Sequence, residues 1–420
     1  MLEQYFVKPS TIDRIRACWL GPQIERYVEW MHAEGYANRN VINRVPILCH
    51  FAEFARQSGA TDLVMAASKV EEFAVSWAAQ RGMNGKTPEA RRKFVSVFRN
   101  PVRQMLGLAL EDCVEPNRHR QPYLLEAQAP GFIEYLRVER GLRESTISRY
   151  LHHLNGFGAY LKRAGVTLLK ELSPALLASF VIDSAPKWAP TSRVNFCSEL
   201  RVFLRFCHRE RIVGQDLSAA VEMPQVYRLA AVPRSITWDE VRRMLEVVDR
   251  RTVKGRRDYA ILLLLVTYGL RAHEVSKLTL DDIDWERERL QVPERKAGHS
   301  TAYPLAGVVA EALIDYLKQG RPETADRHLF IRTLAPRAPI SNGAVSSSVA
   351  FYLKKAGIQV HRPGAHTLRH TCVQRLVDAE FPLKTIGDYV GHRSSQSTQI
   401  YTKVAMASLR EVAMGDGEAL

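Results

Sequence analysis

No two cysteines of this chain stand in a C-x-x-C pair. The six of them (Cys18, Cys49, Cys113, Cys197, Cys207, Cys372) are scattered over 420 residues, which supports neither a zinc site nor a disulfide framework. They read as small core residues of a reducing cytoplasm. Long apolar runs are missing too: the longest, Tyr259 to Leu270, is too short to span a bilayer and stops at Arg271. Met1 to Ser10 lacks a signal-peptide pattern, so a soluble, cytoplasmic protein without membrane contact is expected. There is no low-complexity tract. Acidic residues are the scarcer charge, 45 Asp plus Glu against 59 Lys plus Arg, and the formal charge of +14 favours a polyanionic partner, most commonly nucleic acid.

What is present concentrates in the last quarter. His366-Thr-Leu-Arg369-His370 is followed by Gly391-His392 and then by Ile400-Tyr401. On a helix, residues three apart share a face, so His366 and Arg369 point together and a base meets a fixed cation. Tyr401 supplies a hydroxyl nucleophile if one neighbour takes its proton and another receives the developing charge. The guanidinium fork matches two phosphate oxygens and cannot lose its charge, which points to a phosphate electrophile.

The N-terminal half carries an internal repeat. A shift of 106 superposes Ile24 to Gly59 on Pro130 to Gly165, with Gly35 on Gly141, Val41 on Ile147, Leu48 on Leu154, Phe51 on Phe157 and Gly59 on Gly165. Each copy reads as a helix, a Gly stop and a second helix with an aromatic stripe. Arg91 to Leu106 and Arg193 to Phe206 follow as basic amphipathic helices, with Phe94 and Phe98 falling opposite Leu200 and Leu204. Two helical domains in tandem are expected, residues 1–115 and 130–225, joined by a Pro-containing linker at 116–129. A second linker, 226–235, precedes a third domain at 236–420, which opens on the capping box Thr237-Trp-Asp-Glu240.

Within the third domain, Arg257 to Leu270 reads as a buried helix that delivers Gly269-Leu270-Arg271. An unpaired charge there would cost several kcal/mol, so Arg271 needs a partner, and Glu274 or Asp282 would serve. Ile283 to Val292 and Thr301 to Leu305 read as strands around a turn carrying Lys296, a position that by itself suggests only solvated surface.

The order TYGLR, hairpin lysine, HTLRH, GH and QIYTKV resembles the tyrosine recombinase (phage integrase) family across roughly Pro130 to Val404. The resemblance implies a mainly α fold with a small antiparallel β-sheet: tandem helical, SAM-like DNA-binding domains followed by an α+β catalytic domain. It implies a site-specific recombinase of the integrase or transposase type, cleaving and rejoining strands through a 3′-phosphotyrosyl bond. Tyr401 would be the nucleophile, Arg271 and Arg369 would hold the phosphate oxygens, His366 would be the general base, His392 a donor to the phosphate and Lys296 the general acid. No metal or cofactor is required. Double-stranded recombination sites are the implied partners, bound by a homo-tetramer on paired sites, with accessory recombinases of the same family a further possibility. The apolar face of Val404, Ala407, Leu409 and Val412 could dock on a neighbouring subunit or on its own domain. A topoisomerase-like relaxing enzyme and a non-catalytic DNA-binding regulator are the competing classes.

Overall fold

In the computed structural model, which describes residues 1–80, 87–110, 123–184, 188–225, 235–293 and 300–391, the chain is mainly helical, with one small antiparallel sheet. There are two compact units. One holds the described residues of Met1–Ala109 and Ala231–Leu420, the other those of Leu110–Ala230.

The first bundle comprises α1 (Pro9–Ala17), α2 (Gly21–Ala33), α3 (Asn38–Gln57), α4 (Leu63–Ser68), α5 (Val70–Gln80) and α6 (Pro88–Ala109). Its core gathers Tyr27, Leu48, Phe51 and Phe73, with the Phe51 and Phe73 rings edge to face at 5.3 Å. The second unit contains α7 (Phe132–Glu134), running on as a π-helical turn over Tyr135–Glu139, then α8 (Glu144–Arg163), α9 (Pro174–Ser184) and α10 (Pro190–Arg209). Its core is separate, centred on Phe132, Leu154, Phe157 and Phe203.

Helices α3 and α8 have the same 20-residue length and start and stop at the same 106-residue offset. Both end in a left-handed glycine, Gly59 at φ 82° and Gly165 at φ 73°. The closing hydrogen bonds repeat as well: Ser58 N to Phe54 O and Ala60 N to Ala55 O match Ala164 N to Tyr160 O and Val166 N to Leu161 O. The last helices keep a different register. Each opens on a proline, Pro88 and Pro190, an offset of 102, so Phe98 corresponds to Leu200 and not to Leu204 as the sequence suggested. Burial fits this offset, with Val102 matching buried Leu204 and Met105 matching buried Cys207. A four-residue slip preserves a helix face, so apolar periodicity could not detect it. In the stretch expected as a linker, Tyr123, Leu125 and Ala129 are buried in the second core, so packing begins ahead of Pro130.

The C-terminal part runs α11 (Trp238–Glu246), α12 (Val253–Tyr268), α13 (Ala272–Lys277), β1 (Ile283–Asp284), β2 (Arg289–Val292), β3 (Thr301–Pro304), α14 (Gly307–Gln319), α15 (Asn342–Lys355), α16 (Ala365–Asp378) and α17 (Leu383–Val390). The expected capping box forms: Thr237 Oγ1 accepts from Glu240 N at 3.2 Å, and Thr237 N donates to Glu240 Oε2 at 2.9 Å. Helix α12 is buried almost throughout because Ile261, the four leucines that follow it and Val266 are consecutive and so occupy every face of it. Its buried Asp258 accepts from Arg257 Nη2 at 2.7 Å and from the Tyr352 hydroxyl at 3.2 Å, which ties α12 to α15. The run Ile283 to Val292 is two strands, not one. Asp284 Oδ1 accepts from Arg287 N at 2.9 Å and Glu288 takes φ 49°, so the chain reverses between β1 and β2. Strands β2 and β3 pair antiparallel, Val292 opposite Thr301, which makes the intervening segment their connection.

Among the described residues, the turn at Ala335 and Arg337 meets the first bundle. Arg337 N donates to Glu34 Oε2 at 3.0 Å, and Ala335 packs on the first core. Gly35 takes φ 72°, a left-handed backbone that favours glycine, and the flexible end of the Arg337 side chain lies over it.

Candidate active site

The site is built where α12 ends. Gly269, at φ 60°, terminates that helix, and a Cβ there would meet Val390 Cγ1 at 3.1 Å and Cys372 Sγ at 3.2 Å. Only glycine suits both the backbone conformation and the close packing of α16 and α17. The turn exposes the Gly269 carbonyl to Arg369 Nη1, which donates to it at 2.5 Å. Arg369 Nη2 donates to Val390 O at 2.7 Å. The guanidinium is thus buried and charged against two helix-terminal carbonyls, where partial negative charge collects.

Arg271, two residues past Gly269, precedes α13. Its Nη1 donates to Glu274 Oε1 at 2.6 Å and its backbone N to Glu274 Oε2 at 2.8 Å, so of the two expected carboxylates it is Glu274 that pairs. Asp282 instead accepts from Thr279 N and Thr279 Oγ1. Arg271 Nη2 reaches Gly391 O at 2.8 Å. Both arginines therefore hold consecutive carbonyls at the C-terminal end of α17.

His366 lies in the first turn of α16, one turn before Arg369. Although much of it is open to solvent, the protein packed around the ring lowers its pKa below the ordinary 6.5, and Arg369 and then Arg271 lower it further. Its imidazole is neutral at pH 7 and able to accept a proton. The His370 ring lies 6.2 Å from it, centroid to centroid.

Around this trio, sequence reasoning missed an aromatic brace. Tyr303 donates its hydroxyl to Tyr389 O, the Tyr389 hydroxyl donates to Thr267 O at 3.1 Å, and the two rings meet edge to face at 5.1 Å. The strand alternation that turns Tyr303 inward was the one usable signal. Of the cysteines, Cys372 is buried beside Arg369 with its thiol pushed up to about 12 by desolvation, whereas Cys18 and Cys49 are only half-buried and not core residues. Among the described residues no three His, Cys, Asp or Glu side chains are grouped to hold a metal. Lys296, His392, Tyr401 and the apolar tail at Val404, Ala407, Leu409 and Val412 lie outside the described residues. The structure thus brings together Arg271, His366 and Arg369.

Two family models match the chain: "Phage integrase family" over residues 234–408, and "Phage integrase, N-terminal SAM-like domain" over residues 130–211. A putative integrase/recombinase, y4rA, of Sinorhizobium fredii (strain NBRC 101917 / NGR234) is 32% identical over 391 residues, covering 92% of this chain and 92% of the relative. Coverage on that scale necessarily runs into the first bundle. The tyrosine recombinase XerC of Bacillus pumilus (strain SAFR-032) is 29% identical over 292 residues, covering 67% of this chain and 93% of the relative. Among solved structures, a lambda integrase(75-356) dimer bound to a COC' core site matches with a TM-score of 0.53 at 20% identity, covering 66% of this chain and 94% of that one. XerH bound to palindromic difH substrate in a post-cleavage complex matches with 0.54 at 17%, covering 82% and 94%. At these identities the structures show a shared fold. Among the described residues no helix is long and apolar enough to cross a membrane.

Proposed function

This chain belongs to the phage integrase family of tyrosine recombinases, and from that footing we propose that Arg271, Lys296, His366, Arg369, His392 and Tyr401 are its strand-transfer machinery. The protein is a site-specific DNA recombinase, an enzyme that cleaves and rejoins DNA strands. The observation that carries the assignment is the convergence of Arg271 and Arg369 on the carbonyls of Gly391 and Val390, with His366 one helical turn from Arg369.

In the proposed reaction the Tyr401 oxygen bonds to a backbone phosphorus as the bond to the 5′ oxygen breaks. His366 takes the phenolic proton and Lys296 protonates the departing 5′ oxygen. Arg271 and Arg369 stabilise the charge on the non-bridging oxygens, a contribution on the order of a few kcal/mol each from donors fixed before the reaction. Glu274 and the helix-end carbonyls supply that fixing. His392, bonded to the residue whose carbonyl Arg271 holds, donates to the same phosphate. The bond energy kept in the phosphotyrosine lets a 5′-hydroxyl of another strand reseal it.

The fold class follows the same footing: a SAM-like domain precedes an integrase catalytic domain, and we assign residues 1–115 as a second, tandem copy of the SAM-like bundle. The congruence of α3 with α8 supports this. We assign residues 130–225 and 236–420 as the core-binding and catalytic domains. A lambda integrase tetramer has been seen on a Holliday junction, and for this chain we propose a homo-tetramer on two duplex recombination sites. A nicked suicide substrate tests the reading. Covalent trapping with exchange between paired sites is expected; trapping with relaxation alone would indicate a topoisomerase, and absence of trapping a DNA-binding regulator.

A further inference from the structure

We infer that Arg149 is a DNA-phosphate contact of the second bundle, held in place by a buried pair, Glu199 and His153. The inference rests on the recombinase reading above and adds a binding residue and its positioning residues to it.

Three charged or titratable groups meet between α8 and α10. Arg149 Nε donates to Glu199 Oε1 at 2.6 Å, and Nδ1–H of His153 donates to Glu199 Oε2. The Glu199 and His153 side chains are 3% and 7% exposed, while Arg149 is 50% exposed. The Trp188 ring stands 4.4 Å from His153 and the Phe196 ring 5.7 Å, so the carboxylate is walled off from water on the protein side. Desolvating such a carboxylate costs several kcal/mol, and apolar side chains of similar volume often do as well or better.

The chain contains its own control. At the 106-residue offset that relates α8 to α3, Arg149 and His153 correspond to Asn43 and Ile47. At the corresponding places the first bundle has Asn43, Ile47 and, by the 102-residue offset of the last helices, Val97 in place of Glu199, while the neighbouring Arg44 donates to Tyr27 Oη and Gln104 Oε1 and not to a carboxylate. The bundle fold therefore does not require the cluster, and its presence in the second copy needs another reason.

The geometry supplies one. Glu199 takes the Nε–H, and among the described residues no acceptor meets either Nη group of this half-exposed side chain, which leaves the terminal Nη–H edge unengaged. Two parallel Nη–H donors on an exposed, oriented fork match two oxygens of a phosphate. The rotamer freedom an exposed arginine would lose on binding is already restricted in the free protein. A lysine could not be held this way, having no second donor edge to leave outward.

The test uses the full-length chain and a mixed-sequence duplex, which needs no knowledge of the cognate site because phosphate contacts act in all binding. Arg149→Ala should weaken binding about tenfold and make the plot of log K against log salt shallower by about 1, the signature of one lost phosphate contact. Arg149→Lys should restore the slope but not the full affinity, and Glu199→Gln should resemble Arg149→Lys. Wild-type affinity and slope in Arg149→Ala, with only a lowered melting temperature, would reduce the cluster to an ion pair of the fold and overturn the inference. Wild-type affinity in Glu199→Gln would overturn the positioning role. Either failure is distinct from failure of the recombinase reading, which would appear as no covalent adduct from the unmodified protein.

Discussion

Arg271 and Arg369, far apart in the chain, donate to neighbouring carbonyls of one helix end, Gly391 O at 2.8 Å and Val390 O at 2.7 Å. Each contact fixes a guanidinium and at the same time fixes the point from which the chain continues to His392 and Tyr401. Under the proposed assignment, charge stabilisation by the arginines and delivery of Tyr401 would be coupled through the backbone.

Replacing either arginine should therefore do more than remove a charge. Arg271→Lys keeps the charge but cannot bridge Glu274 and Gly391 together, and strand cleavage should fall about 10²-fold with DNA affinity changed far less. Single-turnover cleavage on a nicked site measures this. Wild-type cleavage by Arg271→Lys would show that the bridging geometry is dispensable.

Acid should silence the enzyme only below the ordinary histidine range. The folded-state pKa of His366 is lowered below 6.5 by desolvation and by the two arginines, so the neutral form predominates at and above 6.5 and is lost as pH falls through the lowered value. The acid limb of cleavage under sub-saturating conditions, which reports the free enzyme, should lie below 6.5. A limb above that value, or an unchanged limb in His366→Gln, would remove His366 as the base.

Lys296 is assigned the leaving-group proton. Lys296→Ala should lose cleavage of ordinary DNA and recover much of it when the scissile 5′ oxygen is replaced by sulfur, a better leaving group that needs no proton. Lack of sulfur rescue would leave Lys296 as a residue that only positions DNA.

The first bundle should add phosphate contacts outside the core site. Removing residues 1–115 should leave cleavage of a short core site measurable, lower affinity for longer DNA, flatten the salt dependence and impair exchange between paired sites. Arg337→Ala, which loses the guanidinium packed over Gly35, should impair exchange without flattening the salt dependence. Full paired-site exchange and an unchanged salt slope in the truncated protein would contradict this role.

The placement of the described site residues was legible because it is local in sequence: His366 and Arg369 share a helix face by spacing alone, and Gly269 marks its own helix end. The Arg271–Glu274 pair was legible for the same reason, being three residues apart. Contacts that cross the fold were not. Nothing in the spacing links Tyr303 to Tyr389, or Arg337 to Glu34, because such pairs are set by how helices pack and not by periodicity. The slip from an offset of 106 to one of 102 shows the same limit, since one helical turn leaves every apolar stripe intact. The break between β1 and β2 was hidden because Asp284 and Glu288 turn the chain without a glycine or proline.

Tyr401, as the proposed nucleophile, is tested by the yield of SDS-stable protein–DNA adduct on a nicked suicide site. Tyr401→Phe should bind the site with near-normal affinity and give no adduct. Tyr389 is the nearest rival by sequence, but its hydroxyl is engaged with Thr267 O, and Tyr389→Phe should still form adduct. An adduct in Tyr401→Phe that disappears in Tyr389→Phe would contradict the account.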